Sequence, residues 1–425
     1  MMIMASHPTS FRTPRTVAVV GAGMVGLATA WFLQEHGVEV TVLDRRGVAA
    51  GSSWGNAGWL TPGIATPLPE PAVLRYGLRA LVQPSSPVYV PPTADPRLIS
   101  FLIRFARHST AAAWKRAMAA LVPINRMALE SFDMLTAGGV PATTQYADSF
   151  LAAYRTVQET ATLREEMDHI RAAGQDLHYD LLTGEEARAI EPSLSEEVSA
   201  AIRLRGQRFI DPAAFVRALG EAVTARGGKL ISPLRVTGVR DESTGISVTT
   251  SDGARALTFD AVVLATGTWL GRLARPFGVR IPVQAGRGYS FSVPVEHVPD
   301  GPVYFPIQRV ACTPLNDRLR IAGMMEFRSP QAALDPRRIT AIVEAVRPLL
   351  RGADLAARQD EWVGSRPCTP DGLPLIGATR SPRVYAAGGH GMWGITLGPA
   401  TGRLLAQAIV TGTTPPALVP LRPVR

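Results

Sequence analysis

A cluster of glycines near the amino terminus has the spacing of a turn that binds phosphates. It follows the β-branched run Thr16–Val20 and precedes residues that favour a helix. Glycine permits the tight turn, lets the backbone approach a pyrophosphate and allows the helix to pack closely on the strand. The unpaired N–H groups at the N-terminus of that helix would then bind the phosphates. The cofactor contacts predicted in this turn are Gly21, Gly23, Met24, Val25 and Gly26.

An acidic residue ends the next predicted strand. Val38–Leu43 is apolar and β-branched, and Asp44 follows it at the distance from the first glycine that is typical of a dinucleotide-binding unit. A carboxylate at this point accepts a hydrogen bond from a ribose hydroxyl and repels a 2′-phosphate, which argues against NADP. We predict that Asp44, Arg45 and Arg46 contact the nucleotide of either NAD or FAD.

Three later segments of small residues favour FAD over NAD. Each offers backbone that a flat ligand can approach, and the last precedes a predicted helix over Leu397–Val410 whose N-terminal dipole would stabilise a reduced flavin. The sequence has no second complete unit in which a glycine turn is followed by a helix, a strand and an acidic residue, so we expect an organic substrate rather than NADPH to supply the electrons. The contacts predicted from these segments are Ser52, Ser53, Asn56, Ala57, Gly58, Trp59, Leu60, Ala265, Thr266, Gly267, Trp269, Gly389, His390, Gly391, Met392, Trp393, Gly394, Ile395 and Thr396.

The order of these motifs resembles the D-amino-acid oxidase superfamily of FAD enzymes over nearly the whole chain. Within that superfamily the chain is most similar to bacterial D-amino-acid dehydrogenases of the small-subunit type, with glycine oxidase next. The resemblance rests on the glycine turn and on the segments Ser52–Gly58, Ala265–Gly267, Gly364–Gly372 and Gly389–Gly394. It also places the backbone of Val236 against the adenine of the cofactor.

The resemblance implies oxidative deamination of D-amino acids. Hydride transfer from the substrate Cα to flavin N5 would give an imino acid that hydrolyses to a 2-oxo acid and ammonia. Oxidation of glycine, sarcosine or D-hydroxyproline is the alternative within the enzyme class. A protein that binds nucleic acid and keeps its nucleotide for structure is the distant alternative.

The reaction requires a group that binds the substrate carboxylate, because orientation of the Cα–H bond is most of what the protein can contribute. Arginine suits this task, since its planar fork binds a carboxylate through two hydrogen bonds. The resemblance assigns the role to Arg366. A purely structural salt bridge from Arg366 to Asp371 or another acid is the alternative.

Four further residues are catalytic candidates. Tyr289 and Tyr304 lie in strands expected to cover the substrate, and either donates to the substrate or is simply part of the core. Glu326 either faces the substrate ammonium or pairs with Arg328. His390 either tunes the flavin or contributes only its backbone. Arg287 is a second candidate for binding the carboxylate.

The flavin is predicted to be bound without a covalent link. In sarcosine oxidases, which the chain also resembles, a cysteine two residues before the position of Arg366 holds the flavin. Gly364 occupies that place here. The only two cysteines, Cys312 and Cys368, do not have the spacing of a metal site or a disulfide framework. So few cysteines are typical of a protein of the reducing cytoplasm, where we expect this one to be located.

The resemblance implies a mixed α/β (α+β) fold in two domains. One is a Rossmann-like FAD-binding domain, and the second is a discontinuous substrate-binding domain on a mainly antiparallel sheet with helices. The predicted FAD-binding segments are 14–88, 200–282 and 360–418. The predicted substrate-binding segments are 89–199 and 283–359, and the tails are 1–13 and 419–425. Pro67–Pro96 is predicted to cross between domains, and Pro415–Arg425 to be extended.

The net charge of the 425-residue chain is +9, and 42 of its 44 basic residues are arginines. These arginines are scattered and accompany no nucleic-acid-binding motif, so we predict no nucleic-acid partner. The segment Arg97–Arg126 combines basic and apolar residues in a helical pattern. It is either an ordinary surface helix or a peripheral contact with the inner face of the cell membrane. The electron acceptor would be quinone or oxygen.

Overall fold

A computed structural model describes residues 12–71, 86–253 and 255–425. Most of the predicted tail 1–13 and the middle of Pro67–Pro96 lie outside the described residues. The strands are β1 Thr16–Val20, β2 Glu39–Leu43, β3 Trp59–Leu60, β4 Val88–Tyr89, β5 Gln145–Tyr146, β6 Leu151–Tyr154, β7 Tyr179–Thr183, β8 Ala200–Leu204, β9 Arg208–Phe209, β10 Lys229–Ile231, β11 Val236–Glu242, β12 Gly245–Thr250, β13 Leu257–Phe259, β14 Ala261–Leu264, β15 Gln284–Pro294, β16 Val303–Phe305, β17 Val310–Leu315, β18 Arg318–Phe327, β19 Gln359–Cys368, β20 Leu375–Ala378 and β21 Val384–Gly388.

The α-helices begin and end where capping residues and the apolar pattern direct them. Asp95, Thr110, Thr183, Asp211 and Asp335 each accept a backbone N–H of the helix that follows. The helices are α1 Met24–Glu35, α2 Pro96–His108, α3 Ala111–Arg126, α4 Ala128–Ala137, α5 Ala161–Ala172, α6 Gly184–Ile190, α7 Pro212–Ala225, α8 Leu270–Ala274, α9 Pro336–Val346 and α10 Gly394–Thr411.

The first sheet has six strands in the order β10-β2-β1-β14-β21-β20. All neighbours are parallel except β20, which runs antiparallel to β21. Its central strands are apolar on both faces because both faces are covered. Val17 and Val19 of β1 pack in the cluster that contains α1, α7 and α10, whereas Ala18 and Val20 face the three-stranded sheet β11-β12-β13. The predicted Rossmann-like layer is therefore confirmed.

The second sheet contains nine strands and is mainly antiparallel. Eight follow the order β19-β15-β18-β17-β16-β6-β8-β7, and β4 pairs with the end of β18. Helix α9 packs its buried face, Ile339, Ile342 and Val343, against this sheet. A mainly antiparallel second sheet with helices agrees with the predicted fold class.

The sheets divide the chain at points that differ from the predicted segments. Strand β8 lies in the large sheet although it was assigned to segment 200–282, and β19 pairs with β15 although it was assigned to segment 360–418. Strand β4 spans the predicted division between residues 88 and 89 and pairs with β18. Sheet pairing is a tertiary property, so turn and composition signals along the chain could not locate these divisions.

Two further expectations need correction. The single helical pattern over Arg97–Arg126 forms two helices, since the side chain of Thr110 starts α3 just after α2 ends. The end of the chain is not extended: residues Pro416–Leu421 form a 3₁₀ helix that buries Leu418 and Leu421. Among the described residues, no helix is both long and apolar enough to cross a bilayer.

Candidate active site

The glycine turn brings the N-terminus of α1 to the carboxyl end of the parallel sheet. Gly21 has a φ of +119°, and a Cβ there would overlap the carbonyl oxygen of Ala265 in the neighbouring strand connection. A Cβ on Gly26 would overlap the carbonyl oxygen of Gly21. Both positions therefore require glycine for the close approach of helix and strand. The turn leaves backbone N–H groups of α1 directed at a cavity.

This cofactor cavity, as we name it, has a volume of about 580 Å³. It extends from the glycine turn past the start of β11 to the N-terminus of α10. Most of the predicted cofactor contacts line this cavity: Gly21, Gly23, Met24, Val25, Gly26, Asp44, Arg45, Arg46, Ser52, Ser53, Asn56, Val236, Ala265, Thr266, Gly267, Trp269, His390, Gly391, Met392, Gly394 and Ile395.

The carboxylate of Asp44 lies at the edge of the cofactor cavity and is fixed by backbone donors. The N–H of Ala22 donates to it at 2.9 Å, and the N–H groups of Arg46 and Gly47 donate at 2.8 and 2.9 Å. These bonds tie the loop after β2 to the glycine turn. Oδ1 accepts the two bonds from Arg46 and Gly47, but Oδ2 accepts only the bond from Ala22 among the described residues, so Oδ2 has capacity for the predicted ribose contact.

Seven predicted cofactor contacts do not line the cofactor cavity. Strand β3 pairs with β9, so the residues of β3 lie away from the cofactor cavity. Nε1 of Trp59 donates a hydrogen bond to the hydroxyl of Thr313 at 2.9 Å. Four of the seven line a second cavity: Ala57, Trp59, Trp393 and Thr396. The other three lie behind the walls of both cavities: Gly58, Leu60 and Gly389.

This second cavity, named here the substrate cavity, has a volume of about 270 Å³. It lies over the large sheet, between β15, β18 and β19 on one side and β3 and α5 on the other. The two cavities share four lining residues: Ser52, Asn56, Arg366 and Met392. A ligand in one cavity therefore meets a ligand in the other at this junction.

Arg366 is the charged group at the junction. Its Nη1 donates to the carbonyl oxygen of Met324 at 2.6 Å, and its guanidinium lies over Gly288. Burial lowers the pKa of Arg366. Within the described residues no acidic side chain forms a salt bridge with it, and Asp371 instead pairs with Arg425 at 2.9 Å. The structural alternative for Arg366, a salt bridge to Asp371, is thus wrong.

A local irregularity in the large sheet positions that guanidinium. Opposite Gly288 of β15, strand β18 has one residue too many, which makes a β-bulge. Met324 in this bulge has a φ of +66°, a conformation that costs on the order of 1–3 kcal/mol for a residue with a side chain. The bulge directs the carbonyl of Met324 at Arg366.

Glu326 does not reach the substrate cavity, which corrects its prediction as a catalytic residue. Its carboxylate accepts a hydrogen bond from the hydroxyl of Tyr289 at 2.7 Å and pairs with Arg287 at 3.2 Å. It also pairs with Arg328 at 3.4 Å, as the alternative had it. Arg287 is equally buried and donates to the carbonyls of Ala332 and Ala333, so it is not placed to bind a substrate carboxylate.

The other catalytic candidates border the cavities. Tyr289 and Tyr304 line the substrate cavity, but the hydroxyl of Tyr289 is committed to Glu326, and burial raises its pKa to about 12. Tyr304 packs edge-on against Trp59, with ring centroids 5.3 Å apart. His390 lines the cofactor cavity, and its Nε2 lies 2.9 Å from the hydroxyl of Thr401 in α10. Burial lowers the pKa of His390 to about 4, so its ring is neutral at pH 7.

Residues 16–408 match the family described as FAD dependent oxidoreductase, DAO. The chain belongs to this family. Two curated relatives are named D-amino acid dehydrogenase. The protein of Cereibacter sphaeroides is 32% identical over 410 residues, which cover 92% of this chain and 91% of that relative. The protein of Xanthobacter autotrophicus is 30% identical over 406 residues, which cover 92% of this chain and 94% of that relative.

Solved structures of family members share the fold of this FAD-dependent oxidoreductase. Glycine oxidase from Geobacillus kaustophilus has a TM-score of 0.71 at 22% identity, over 97% of this chain and 98% of that one. Iminodiacetate oxidase from Chelativorans sp. has a TM-score of 0.70 at 20% identity, over 96% of this chain and 98% of that one. The predicted family, fold class and FAD requirement are confirmed.

The cofactor cavity provides the groups that FAD requires. Within the part of the chain that the structure describes, the buried Oγ1 of Thr266 and Nε1 of Trp269 have no hydrogen-bond partner, although both residues line the cavity. A buried polar atom without a partner is costly, so these atoms indicate a polar ligand. The guanidinium of Arg45 lies 3.6 Å from the ring centre of Trp269 and closes one wall. The N-termini of α1 and α10 both face the cavity.

The substrate cavity also contains three charged side chains that no motif in the sequence predicts. Glu70, Glu166 and Arg309 line it, together with Tyr154. Glu70 lies in the proline-rich segment, Glu166 in the amphipathic helix α5 and Arg309 before β17, with a φ of +55°. No local motif marks these residues, because they come from three distant parts of the chain.

Proposed function

We propose that the protein oxidises D-amino acids to 2-oxo acids and ammonia, with FAD bound non-covalently. The observation that carries this proposal is the position of Arg366, which lines both cavities and has no acidic partner among the described residues. A buried guanidinium without an acid favours an anionic ligand. The names of the relatives add support, since both are D-amino acid dehydrogenases.

Arg366 would bind the substrate carboxylate and so fix the Cα–H bond at the junction of the cavities. The carbonyl of Met324 holds one side of the guanidinium, which leaves the remaining N–H groups for the carboxylate. FAD, when bound, supplies the acceptor for the hydride, which carries both electrons of the oxidation. The walls of Trp59, Met392 and Trp393 would exclude water from the junction.

The protein side of the cofactor site agrees with a non-covalent flavin. Cys312 and Cys368 are both buried and free, and neither lines the cofactor cavity. Burial raises the pKa of Cys368 to about 12 and that of Cys312 as well, so both thiols are protonated and poor nucleophiles at pH 7. The flavin would be held by the backbone of the glycine turn, by Asp44 and by the N-terminus of α10.

The test is anaerobic reduction of the purified yellow protein by a panel of D- and L-amino acids, glycine, sarcosine and D-hydroxyproline. We expect bleaching at 450 nm by D-amino acids. Replacement of Arg366 by alanine should weaken the second-order rate constant of reduction about 30- to 1000-fold, because the substrate carboxylate then lacks its buried partner. Arg366→Lys should restore part of this loss, since it keeps the charge without the fork.

The control variant is Arg347→Ala, which removes an exposed arginine that pairs only with Glu344. It should reduce like the unchanged protein. Bleaching by sarcosine or glycine alone would favour the alternative amine oxidation. If Arg366→Ala is reduced as rapidly as the parent by every substrate, the role of Arg366 is refuted.

We also propose quinone as the electron acceptor, with α2 in contact with the inner face of the cell membrane. Ile99 and Ile103, one turn apart on α2, are exposed beside Arg104 and Arg107. Apolar and basic side chains on one exposed helix are typical of peripheral membrane contact. Oxygen is the alternative acceptor, and steady-state assays with a soluble quinone and with oxygen alone separate the two.

A further inference from the structure

Two carboxylates line the same cavity as Arg366, and neither is among the groups that shift its pKa. Glu70 follows the 3₁₀ turn Pro62–Ile64 and a proline-rich loop, and Glu166 projects from α5. The hydroxyl of Thr66 lies 3.4 Å from Oε1 of Glu166. Burial, and after it repulsion by the nearby Glu166, raises the pKa of Glu70 to about 7.

Positive charge in this region does not balance the negative charge. The guanidinium of Arg309 lies 4.0 Å from Glu70 and interacts with Glu166 and the hydroxyl of Tyr304. If both carboxylates are ionised, one guanidinium facing them leaves an excess of one negative charge. Glu159 lines the same cavity, but its carboxylate accepts the backbone N–H of Arg155 at 3.0 Å. Burial raises the pKa of Glu166 as well, so the ionised form of both carboxylates is disfavoured unless a cation binds beside them.

A tyrosine hydroxyl in the same region is also unpaired. The side chain of Tyr154 is 2% exposed and lines the substrate cavity. Its hydroxyl has no hydrogen-bond partner among the described residues. Buried hydroxyls in folded proteins are nearly always bonded, so this one indicates a ligand with a polar end at this depth of the cavity. The observation is independent of the charges of Glu70 and Glu166.

We propose that the substrate carries a cationic side chain, an ammonium or a guanidinium, which binds to Glu70 and Glu166 while its carboxylate binds to Arg366. The proposal rests on the proposed function, since it takes the carboxylate at Arg366 as given. A cation stabilises both carboxylates in their ionised form, and a donor on it satisfies the hydroxyl of Tyr154. Ionised carboxylates would repel an anionic side chain, and a purely apolar one would leave the hydroxyl of Tyr154 without a partner and two carboxylates sharing one guanidinium.

The first experiment compares two substrates that differ only in charge. D-arginine and D-citrulline have nearly the same shape, but the guanidinium of the first is a neutral urea in the second. Anaerobic reduction by D-arginine should be faster at low substrate concentration, by about tenfold or more in the second-order rate constant. In Glu70→Gln and Glu166→Gln this preference should shrink towards unity.

Glu165→Gln is the matched control. Glu165 is the exposed neighbour of Glu166 on α5 and lines neither cavity, so the same substitution there should keep the preference. The two-substrate comparison is made on the unchanged protein, so it remains decisive if a variant fails to fold.

A binding measurement separates this proposal from the proposed function. 5-Guanidinopentanoate and 5-ureidopentanoate keep the carboxylate and the side chain but lack the amine, so neither can be oxidised. Calorimetry with the FAD-loaded protein should show tighter binding of the guanidino compound, by about tenfold or more, and loss of that difference in Glu70→Gln. This readout does not depend on oxidation.

The outcomes are distinct. If D-amino acids bleach the flavin but neutral and cationic ones do so equally, the cationic subsite is refuted and the proposed function stands. If no amino acid bleaches the flavin but the guanidino compound binds more tightly through Glu70, the subsite stands and the oxidation of D-amino acids is refuted. Equal binding of both compounds refutes the subsite in either case.

Discussion

At the residue scale, the substrate cavity is defined by how each charged side chain is paired. Arg287 and Glu326 form a buried ion pair beside the large sheet and are not placed to bind the substrate. Among the described residues, Arg366 donates hydrogen bonds to one carbonyl and one thioether, which leaves most of its donors available. The side chain that lacks a partner of opposite charge is therefore the one expected to bind the substrate carboxylate.

The position of the Arg366 guanidinium depends on the absence of a side chain at residue 288. A Cβ on Gly288 would overlap that guanidinium, which is the free end of a flexible side chain and can be displaced without unfolding. Gly288→Ala should therefore raise the KM or Kd for substrate about 10- to 100-fold, while the FAD content and the melting temperature stay close to the parent values.

Gly271→Ala is the control for this prediction. Gly271 lies in α8, and a Cβ there meets no atom within 4 Å. Both variants are examined for flavin absorbance and for the concentration dependence of anaerobic reduction. An unchanged KM in Gly288→Ala would contradict the assigned position of Arg366.

A site residue could be predicted from the sequence only when the residues that define its role lie close to it along the chain. The contacts of the glycine turn and Asp44 lie within one strand-turn-helix-strand unit, so spacing alone locates them. Glu70, Glu166 and Arg309 are joined only by the tertiary fold, and no pattern near any of them signals the others. Glu326 was misplaced because its partners, Tyr289 and Arg287, come from the neighbouring strand β15.

At the element scale, strands were predicted better than sheet membership. β1 and β2 are apolar runs on either side of the glycine turn and its helix, and the structure has them where the sequence predicts them. The assignment of β8 and β19 to the large sheet depends on pairing with strands far away in sequence, which composition does not encode. The bulge at Met324 could not be predicted either, because a non-glycine residue with positive φ has no sequence signature.

The prediction of an extended tail over Pro415–Arg425 is wrong, because this segment contains the carboxyl-terminal 3₁₀ helix. Leu418 and Leu421 have no exposed surface and pack in the same cluster as α10. Arg425 then pairs with Asp371, so the end of the chain holds the loop after β19. Its apolar residues are too few and too close to prolines to be recognised as a helix face.

Leu421→Ala should lower the free energy of unfolding by about 2–5 kcal/mol, because it leaves a cavity in the core. Val419→Ala is the control, since the side chain of Val419 is 46% exposed, and it should change stability by less than about 1 kcal/mol. Urea unfolding followed by tryptophan fluorescence measures both. Equal effects of the two substitutions would show that the tail is not packed as described.

At the scale of the whole molecule, the charge of +9 is distributed rather than concentrated. Many arginines pair with acids at the surface, as Arg208 does with Asp133 and Arg318 with Asp360. Such exposed pairs contribute little to stability. The excess of arginine over lysine therefore does not by itself indicate a polyanionic partner. What distinguishes α2 is that its exposed basic residues lie beside two exposed isoleucines.

If α2 contacts the membrane, the whole protein should bind vesicles that contain anionic phosphatidylglycerol, and added salt should weaken that binding, since each basic residue near such a surface contributes about 1 kcal/mol. Ile103→Glu should abolish co-sedimentation, because it places a negative charge in the contact face, where Ile103 is 50% exposed. Ile231→Glu makes the same change at an exposed residue of β10, the edge strand of the six-stranded sheet. This variant should bind like the parent. Equal loss in both variants would mean that net charge rather than α2 governs binding, and failure of the parent protein to bind would refute the contact.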